Sequence, residues 1–336
     1  TTGYIDNLIA IRQKTVDFFN YTARIDHQAT AKLKTFFNWS YNTKESWLPD
    51  PSIVNPIYDS SARVTFEGQT TTGIGGTWVP APTVVSESRL SYYRYYSHAT
   101  WPGFGQDYGK LLGIPNIGVG SMPSITGIPS VSNPSTDVQE TFNFKQDVSK
   151  LSGKHAFKMG YDLMRLRRNS YSISNNAGSF ALASTAGLNT NGASIPNTGG
   201  NDLTRLMAGA VSTYTLTINL LSTLPRNWIH ALYFQDDWKL RPNLTFNLGV
   251  RWQVQSTMNN KYGQQSSFDP EAPDNVVAGA KGVITHPGSV HRKDWNNFQP
   301  RVGLAWTAWP SLVVRTGFAL STVDERLPNP PTNEYG

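Results

Sequence analysis

Between Leu244 and Gln255 the sequence alternates without a break. The even positions are Leu244, Phe246, Leu248, Val250, Trp252 and Val254, and the odd positions are Thr245, Asn247, Gly249, Arg251, Gln253 and Gln255. Successive side chains of a β-strand point to opposite faces, so this pattern predicts a strand with one wholly apolar face and one wholly polar face. Strands of this kind must cover the apolar face, either with a second protein layer or with lipid.

The pattern recurs. From Lys32 to Asn42, Leu33, Thr35, Phe37, Trp39 and Tyr41 share a face, and over 138–148 Val138, Phe142, Phe144 and Val148 do so. Over 155–163, Phe157, Met159, Tyr161 and Leu163 oppose Ala156, Lys158, Gly160 and Asp162. Val302, Leu304, Trp306 and Ala308 oppose Arg301, Gly303, Ala305 and Thr307; Leu312, Val314, Phe318 and Leu320 oppose Arg315 and Gly317. The stretch 228–240 is less regular, because Asp236 falls among Leu232, Phe234, Trp238 and Leu240. Turn residues join many of these strands at short range: Arg241-Pro242-Asn243, Trp309-Pro310-Ser311, Leu151-Ser152-Gly153, Pro80-Ala81-Pro82 and the region Gln28 to Ala31. Longer connections rich in Gly, Pro, Asn and Ser lie between the hairpins, at about 43–61, 99–136, 171–201 and 257–297. One segment departs from strand periodicity. Leu203, Leu206 and Met207 follow Asp202 at helical spacing, which predicts a short helix there, with a strand after it at about 211–221.

Connections that run short, long, short, long match bacterial outer-membrane barrels, whose periplasmic turns are short and whose extracellular loops are long. The loops of a soluble β-sandwich need not sort in this way. The expected fold is therefore all-β, an antiparallel up-and-down transmembrane β-barrel, of which roughly 10 to 12 strands are present. On this reading Trp228, Trp238, Trp252, Trp306 and Trp309, all near strand ends, are candidates for the aromatic girdles at the two membrane interfaces, although ordinary packing accounts for each of them equally well. Arg251, Arg301 and Arg315 fall on polar faces and are candidate lumen-facing residues, placed either to guide anionic ligands or to pair with carboxylates inside the barrel.

Composition narrows the chemistry. Charged residues are only 15% of the chain, against about 25% in an ordinary soluble domain. The absence of cysteine rules out disulfides, cysteine-based zinc sites and thiol catalysis. No stretch approaches the roughly 20 apolar residues of a membrane-spanning helix. The opening residues TTGYIDNLIAIRQK carry no basic-then-apolar leader, so the sequence reads as a mature or an incomplete chain. The six histidines, His27, His98, His155, His230, His286 and His291, include no pair at metal-binding helical spacing, and His286 and His291 read as solvated loop residues. Asp236 and Asp237 are adjacent on a strand, so their carboxylates diverge. Gly-Ile-Gly-Gly at 73–76 reads as strand glycine, and no nucleophile elbow, P-loop or dinucleotide fingerprint is present. The tract Arg89 to Tyr96 mixes arginine with tyrosine, and interfacial tyrosines on a strand explain it better than base or sugar stacking. The net charge of +6 comes from scattered lysines and arginines, so no nucleic-acid partner is expected. No catalytic residue, metal site or cofactor is expected either.

Several of these segments carry a family resemblance. Tyr233-Phe-Gln-Asp-Asp-Trp-Lys-Leu-Arg-Pro-Asn-Leu-Thr-Phe-Asn-Leu-Gly-Val-Arg-Trp252 resembles a hairpin of TonB-dependent outer-membrane receptors. Phe298-Gln-Pro-Arg-Val-Gly-Leu-Ala-Trp306 with Val314-Arg-Thr-Gly-Phe318 resembles the next hairpin. Gly153-Lys-His-Ala-Phe-Lys-Met-Gly160 resembles a further strand, and Arg24-Ile-Asp-His27 followed by Phe36-Phe37 resembles an earlier hairpin. Their order, over about 20–322, is similar to that of the Oar-like subgroup, which carries an N-terminal carboxypeptidase-regulatory-like domain. The resemblance implies a 22-stranded barrel set in outer-membrane lipid. It also implies uptake of a small but bulky ligand, a metal chelate or an oligosaccharide, driven by the TonB system through a plug. This sequence departs from the family pattern in showing no plug and no TonB-box-like segment, and 336 residues are too few for 22 strands and their loops. Residues 1–336 are thus expected to be part of the barrel domain, without plug or C-terminal strands. A second expectation is a structural or adhesive cell-surface assembly, a fibre or tube built by edge pairing between copies. A soluble β-sandwich or propeller lectin is third.

Overall fold

The computed structural model describes residues 13–48, 63–100, 124–125, 135–172, 179–182, 211–215, 224–263, 267–274, 276–285 and 294–322, and every regular element among them is a β-strand. The first two hairpins are β1 (Thr15–Thr30) with β2 (Leu33–Leu48) and β3 (Arg63–Ala81) with β4 (Val84–Thr100). After the short β5 (Ser124–Ile125) come β6 (Ser135–Ser152) and β7 (His155–Ser172), then β8 (Ser179–Leu182) and β9 (Val211–Thr215). The remainder comprises β10 (Pro225–Arg241), β11 (Leu244–Gln255), β12 (Asn259–Asn260), β13 (Ser267–Pro273), β14 (Lys281–Thr285), β15 (Asp294–Trp309) and β16 (Leu312–Ala319).

An 11-stranded antiparallel sheet contains the order β1-β2-β3-β4-β6-β7-β10-β11-β15-β16, with β12 paired to β10. Each long strand thus lies beside the next long strand in sequence, the up-and-down topology expected from the alternation. Two small sheets, β5-β8-β9 and β13-β14, stand within the long connections. Among the described residues β1 and β16 are the edges of the main sheet, and no pairing joins them. The expected short helix after Asp202 lies outside the described residues, as do His286 and His291; of the strand expected at 211–221, Val211–Thr215 is described, as β9.

Five hairpins of the main sheet turn on two residues each, at 31–32, 82–83, 153–154, 242–243 and 310–311, and all five turns lie at one end of the sheet. Two-residue turns must match the right-handed twist of their strands, which calls for positive φ or for a bulge. The β6–β7 turn uses Gly153 at φ 58 and keeps an unshifted register. The other four turns have no glycine, and in each of them the register shifts beside the turn, at Gln28/Thr30, Trp78/Ala81, Lys239/Arg241 and Thr307/Trp309.

The strands run further than the alternation foretold. β7 continues to Ser172, past the Leu163 at which the apolar pattern stops, and β2, β3, β4, β6 and β7 have 16 to 19 residues each. A backbone ladder needs no apolar side chain to persist, so pairing continues where the outer positions become Arg165, Arg167 and Asn169. One face of the sheet carries rows of apolar residues in register, such as Ile25, Phe37, Ile74, Leu90, Phe144 and Leu163. Among the described residues no protein layer covers this face: Ile25 is 62% exposed, Ile74 56% and Phe318 66%, and the buried apolar residues are only Ala99, Leu166, Ile229, Ala231 and Val254. Contiguous apolar surface on this scale is stable against lipid and not against water.

Candidate functional site

The opposite face is polar and holds a groove of about 410 Å³ across β1 to β6. Its walls are Arg24 and Asp26 on β1, Lys34 and Phe36 on β2, Thr77 on β3, Glu87 and Arg89 on β4, and Lys145 and Asp147 on β6. Period-two geometry puts them on one face, and antiparallel register brings them side by side. Phe36 is the centre. The Arg24 and Arg89 guanidinium carbons each lie 5.2 Å from its ring centroid, so two cations share one aromatic ring. Arg24 donates to both oxygens of Asp26, at 2.7 and 2.9 Å, which fixes its orientation. Phe36 itself lies over its register partner Gly75, where a Cβ would come within 2.8 Å of the ring.

A second aromatic and glycine pair sits at the β6–β7–β10 wall. Tyr233 donates its hydroxyl to Asp147 at 2.5 Å across Gly160, and Lys145 stands 3.5 Å from the same carboxylate. Further along the face, Asn143 donates to Asp162 at 2.7 Å, Asn247 donates to Asp237 at 2.6 Å, and Lys44 pairs with Glu67 at 3.2 Å. The result is a lattice of ion pairs and hydrogen-bonded carboxylates along the polar face. Among the described residues, no three His, Asp or Glu side chains converge as a metal site would require.

Arg251, Arg301 and Arg315 occupy this same polar face, but outside the groove, on β11, β15 and β16. Arg251 is in register with Tyr233 and Gln299, Arg301 with Gly249, and Arg315 with Ala305. Arg251 donates to Gln253 at 3.0 Å and lies 4.0 Å from Asp162. The structure does not gather the three arginines into one cluster. The sequence singled out Arg89 within the arginine–tyrosine tract and Arg24, Asp26 and Phe36 within a family-like hairpin, but it joined none of them into a site; the only signal for the groove was charge at alternate positions of β1, β4 and β6.

All five tryptophans singled out lie on the apolar face. Trp238 pairs with Phe246, Trp306 with Leu244, and Trp309 with Leu312, close to the two-residue turns. Trp228 and Trp252 lie towards the other end, where Trp252 donates its Nε1–H to the Trp295 carbonyl at 2.8 Å. Asp236 and Asp237 face opposite sides. Asp236 stays on the apolar face and is hydrogen-bonded to His155 at 2.7 Å, while His155 stacks between Phe157 and Trp238.

The long connection between β11 and β15 contains the β13–β14 hairpin. Its apolar residues Phe268, Val276, Val277 and Ile284 are all exposed. Asp274 accepts the backbone N–H groups of Val277 and Val276 at 2.9 and 2.6 Å, and these bonds hold its carboxyl below the ordinary carboxylate range.

Residues 1–334 match the family described as "Outer membrane beta barrel domain". Among solved structures, "Copper transporter OprC" is similar with a TM-score of 0.52 and 8% identity, over 90% of this chain and 37% of that one. The ferric-catecholate import receptor Fiu from E. coli K12, in its open form, is similar with a TM-score of 0.51 and 11% identity, over 91% of this chain and 47% of that one. At such identities the likeness is one of fold, and the chain spans less than half the length of either structure. Among curated proteins, none matches the sequence. With an uncovered apolar face, an up-and-down antiparallel sheet and a family match over nearly its whole length, the chain belongs to the outer membrane β-barrel domain family and is a protein of the bacterial outer membrane.

Proposed function

We propose that this chain forms part of the wall of a TonB-dependent transporter of the Oar-like kind, one that takes up a bulky ligand, either a metal chelate or an oligosaccharide. The observation that carries the proposal is the polar face. It is lined with ordered, mutually paired charges on a sheet whose other face is apolar, which is what the lumen of a transport barrel requires. The likeness in fold to proteins named as a copper transporter and a ferric-catecholate import receptor supports the same reading. In this reading the working barrel has 22 strands, a plug supplied by other parts of the full-length protein occupies the lumen, and residues 1–336 are one portion of the wall. Arg251, Arg301 and Arg315 face that lumen and meet carboxylates of the plug or of an anionic ligand.

The five tryptophans act as interfacial girdles. Trp228 and Trp238 are ten residues apart on β10, about 33 Å along the strand, and a tilt of about 40° reduces this to ~25 Å, the height of the apolar band of such barrels. The two-residue turns then face the periplasm and the long connections face outward, where the β13–β14 hairpin is placed to meet ligand first. Uptake of labelled ferric chelates and of labelled oligosaccharides by cells making the full-length protein, with and without a functional TonB system, tests this. Uptake that is unchanged when TonB is removed rejects it.

A second reading rests on the sheet edges. Every residue of β1 and of β16 is exposed, and edge strands of this kind pair readily between copies. A surface fibre or tube built in this way would be seen by electron microscopy of native envelopes, whereas separate barrels would exclude it.

A further inference from the structure

We propose that the outward face of the sheet carries a binding site for phosphorylated lipid headgroups, formed by Arg94, Arg165, Arg167 and Arg226 at the long-connection end. Arg94 pairs in register with Glu140, Glu140 with Arg167, and Arg167 with Arg226, so one row crosses β4, β6, β7 and β10. At about 4.8 Å between strands the row is ~14 Å long, the width of a lipid headgroup bearing more than one phosphate. These positions share the face of Leu90, Phe144 and Leu163; Arg165 stands in the aromatic row of Tyr92, Phe142 and Trp228, and Arg94, Arg167 and Arg226 lie one step beyond it. They therefore stand where acyl chains give way to headgroups.

Charge selects the partner. Four guanidinium groups face one carboxylate, Glu140, which Arg167 approaches at 3.3 Å and to which Tyr92 donates at 2.8 Å. No other carboxylate occurs on this face of the four strands at this end; Asp236 lies at the opposite end, with His155. The guanidinium groups are also held in place. Arg165 lies 4.6 Å over the Trp228 ring and Arg167 5.7 Å over Phe142. Arg226 donates to the Arg168 carbonyl and to Asn169, both at 2.6 Å. Guanidinium groups held in place by aromatic rings and neighbouring acceptors suit phosphate oxygens, and clustered arginines at a membrane interface favour anionic headgroups over zwitterionic ones. Isolated interfacial arginines merely extend towards water. Here four are gathered on one face while β1, β2, β11, β15 and β16 carry no comparable row.

The test uses the full-length protein in detergent and bisphosphorylated lipid A as probe, with bound lipid counted by native mass spectrometry. Wild-type protein is expected to retain the lipid. R165Q/R167Q is expected to bind about twentyfold more weakly, R165K/R167K, which keeps the charge but loses the planar fork, to fall between it and wild type, and K158Q on the polar face to change nothing. Dephosphorylated lipid A should bind no better to wild type than to R165Q/R167Q. Should R165Q/R167Q fail to show heat-modifiable migration on gels, the single exposed change R94Q is read instead and should weaken binding about fivefold. Equal retention by wild type and variant overturns the proposal. So does displacement of the lipid by inorganic phosphate at matching concentration, which would identify a site for free anion.

Discussion

Tyr233 and Asp147 belong to strands separated by a whole intervening strand, yet their side chains meet at 2.5 Å, directly over Gly160, which is the register partner of both. A Cβ on Gly160 would lie 2.5 Å from the Asp147 carboxylate and 2.5 Å from the Tyr233 ring. The glycine is thus the opening through which β6 and β10 make contact across β7. Gly160→Ala should cost about 1–3 kcal/mol by displacing both partners. Tyr233→Phe should cost about 1–2 kcal/mol by removing one charge-assisted bond. Because both changes break the same contact, their effects should fall short of additive by at least 0.5 kcal/mol or so. Denaturant titration of the folded barrel, followed by loss of heat-modifiable migration, measures all three; strict additivity would show that Gly160→Ala does not act through the bridge, and a Tyr233→Phe cost near zero that the bridge contributes nothing.

The shared ring of Phe36 leads to a second expectation. With Phe36→Leu the Arg24 and Arg89 guanidinium groups lose their common platform, at roughly 0.5–1 kcal/mol each for a partly solvated cation–π contact. Arg24 keeps Asp26, so Arg89 should be the more mobile of the two. Spin labels or fluorine probes on neighbouring β4 positions would report the difference, and equal mobility would count against Phe36 as the organising residue.

Depth in the membrane can be read from the tryptophans. Variants that retain only Trp228 or only Trp238 should be quenched most by lipids brominated near the headgroup and least by lipids brominated far down the chain. A reversed order would displace the sheet relative to the bilayer by several residues.

How much of this was legible beforehand depends on whether pattern or register carries the information. The alternation of 244–255 is β11, residue for residue, and the two-residue turns follow from Pro242, Pro310 and Gly153. Asp236 spoiled the pattern of β10 in the sequence for a reason visible only in three dimensions: it stays on the apolar face because His155 on β7 accompanies it there. The length of β7 beyond Leu163 was hidden because the ladder continues while the side-chain pattern changes. The groove was hidden most deeply. Arg24, Phe36 and Arg89 come from three strands, and nothing in the local sequence of any one of them indicates that the others converge on it.

The Asp274 turn responds to acid in a defined direction. Its carboxyl is held low by the N–H groups of Val277 and Val276, so the ionised form is the one the turn favours. The stabilisation is fully present above the ordinary carboxylate value and fades as pH falls through the lowered one. Amide exchange at Val276 and Val277 should therefore stay slow relative to intrinsic rates near neutrality and accelerate in acid. Asp274→Asn, which keeps an acceptor oxygen, should lose the pH dependence and retain part of the protection. PH-independent protection in the unaltered protein would contradict this.

The length of the strands sets what surrounds the cell. An 18-residue strand such as β7 extends about 60 Å, or ~45 Å of height at the usual tilt, whereas the apolar band needs ~25 Å. The Trp238 row sits close beside the turns, so nearly all of the excess emerges on the opposite side. With the two-residue turns on the periplasmic side, as proposed above, what a phage, an antibody or an incoming solute meets first around these strands is a stiff palisade of hydrogen-bonded backbone standing well clear of the bilayer.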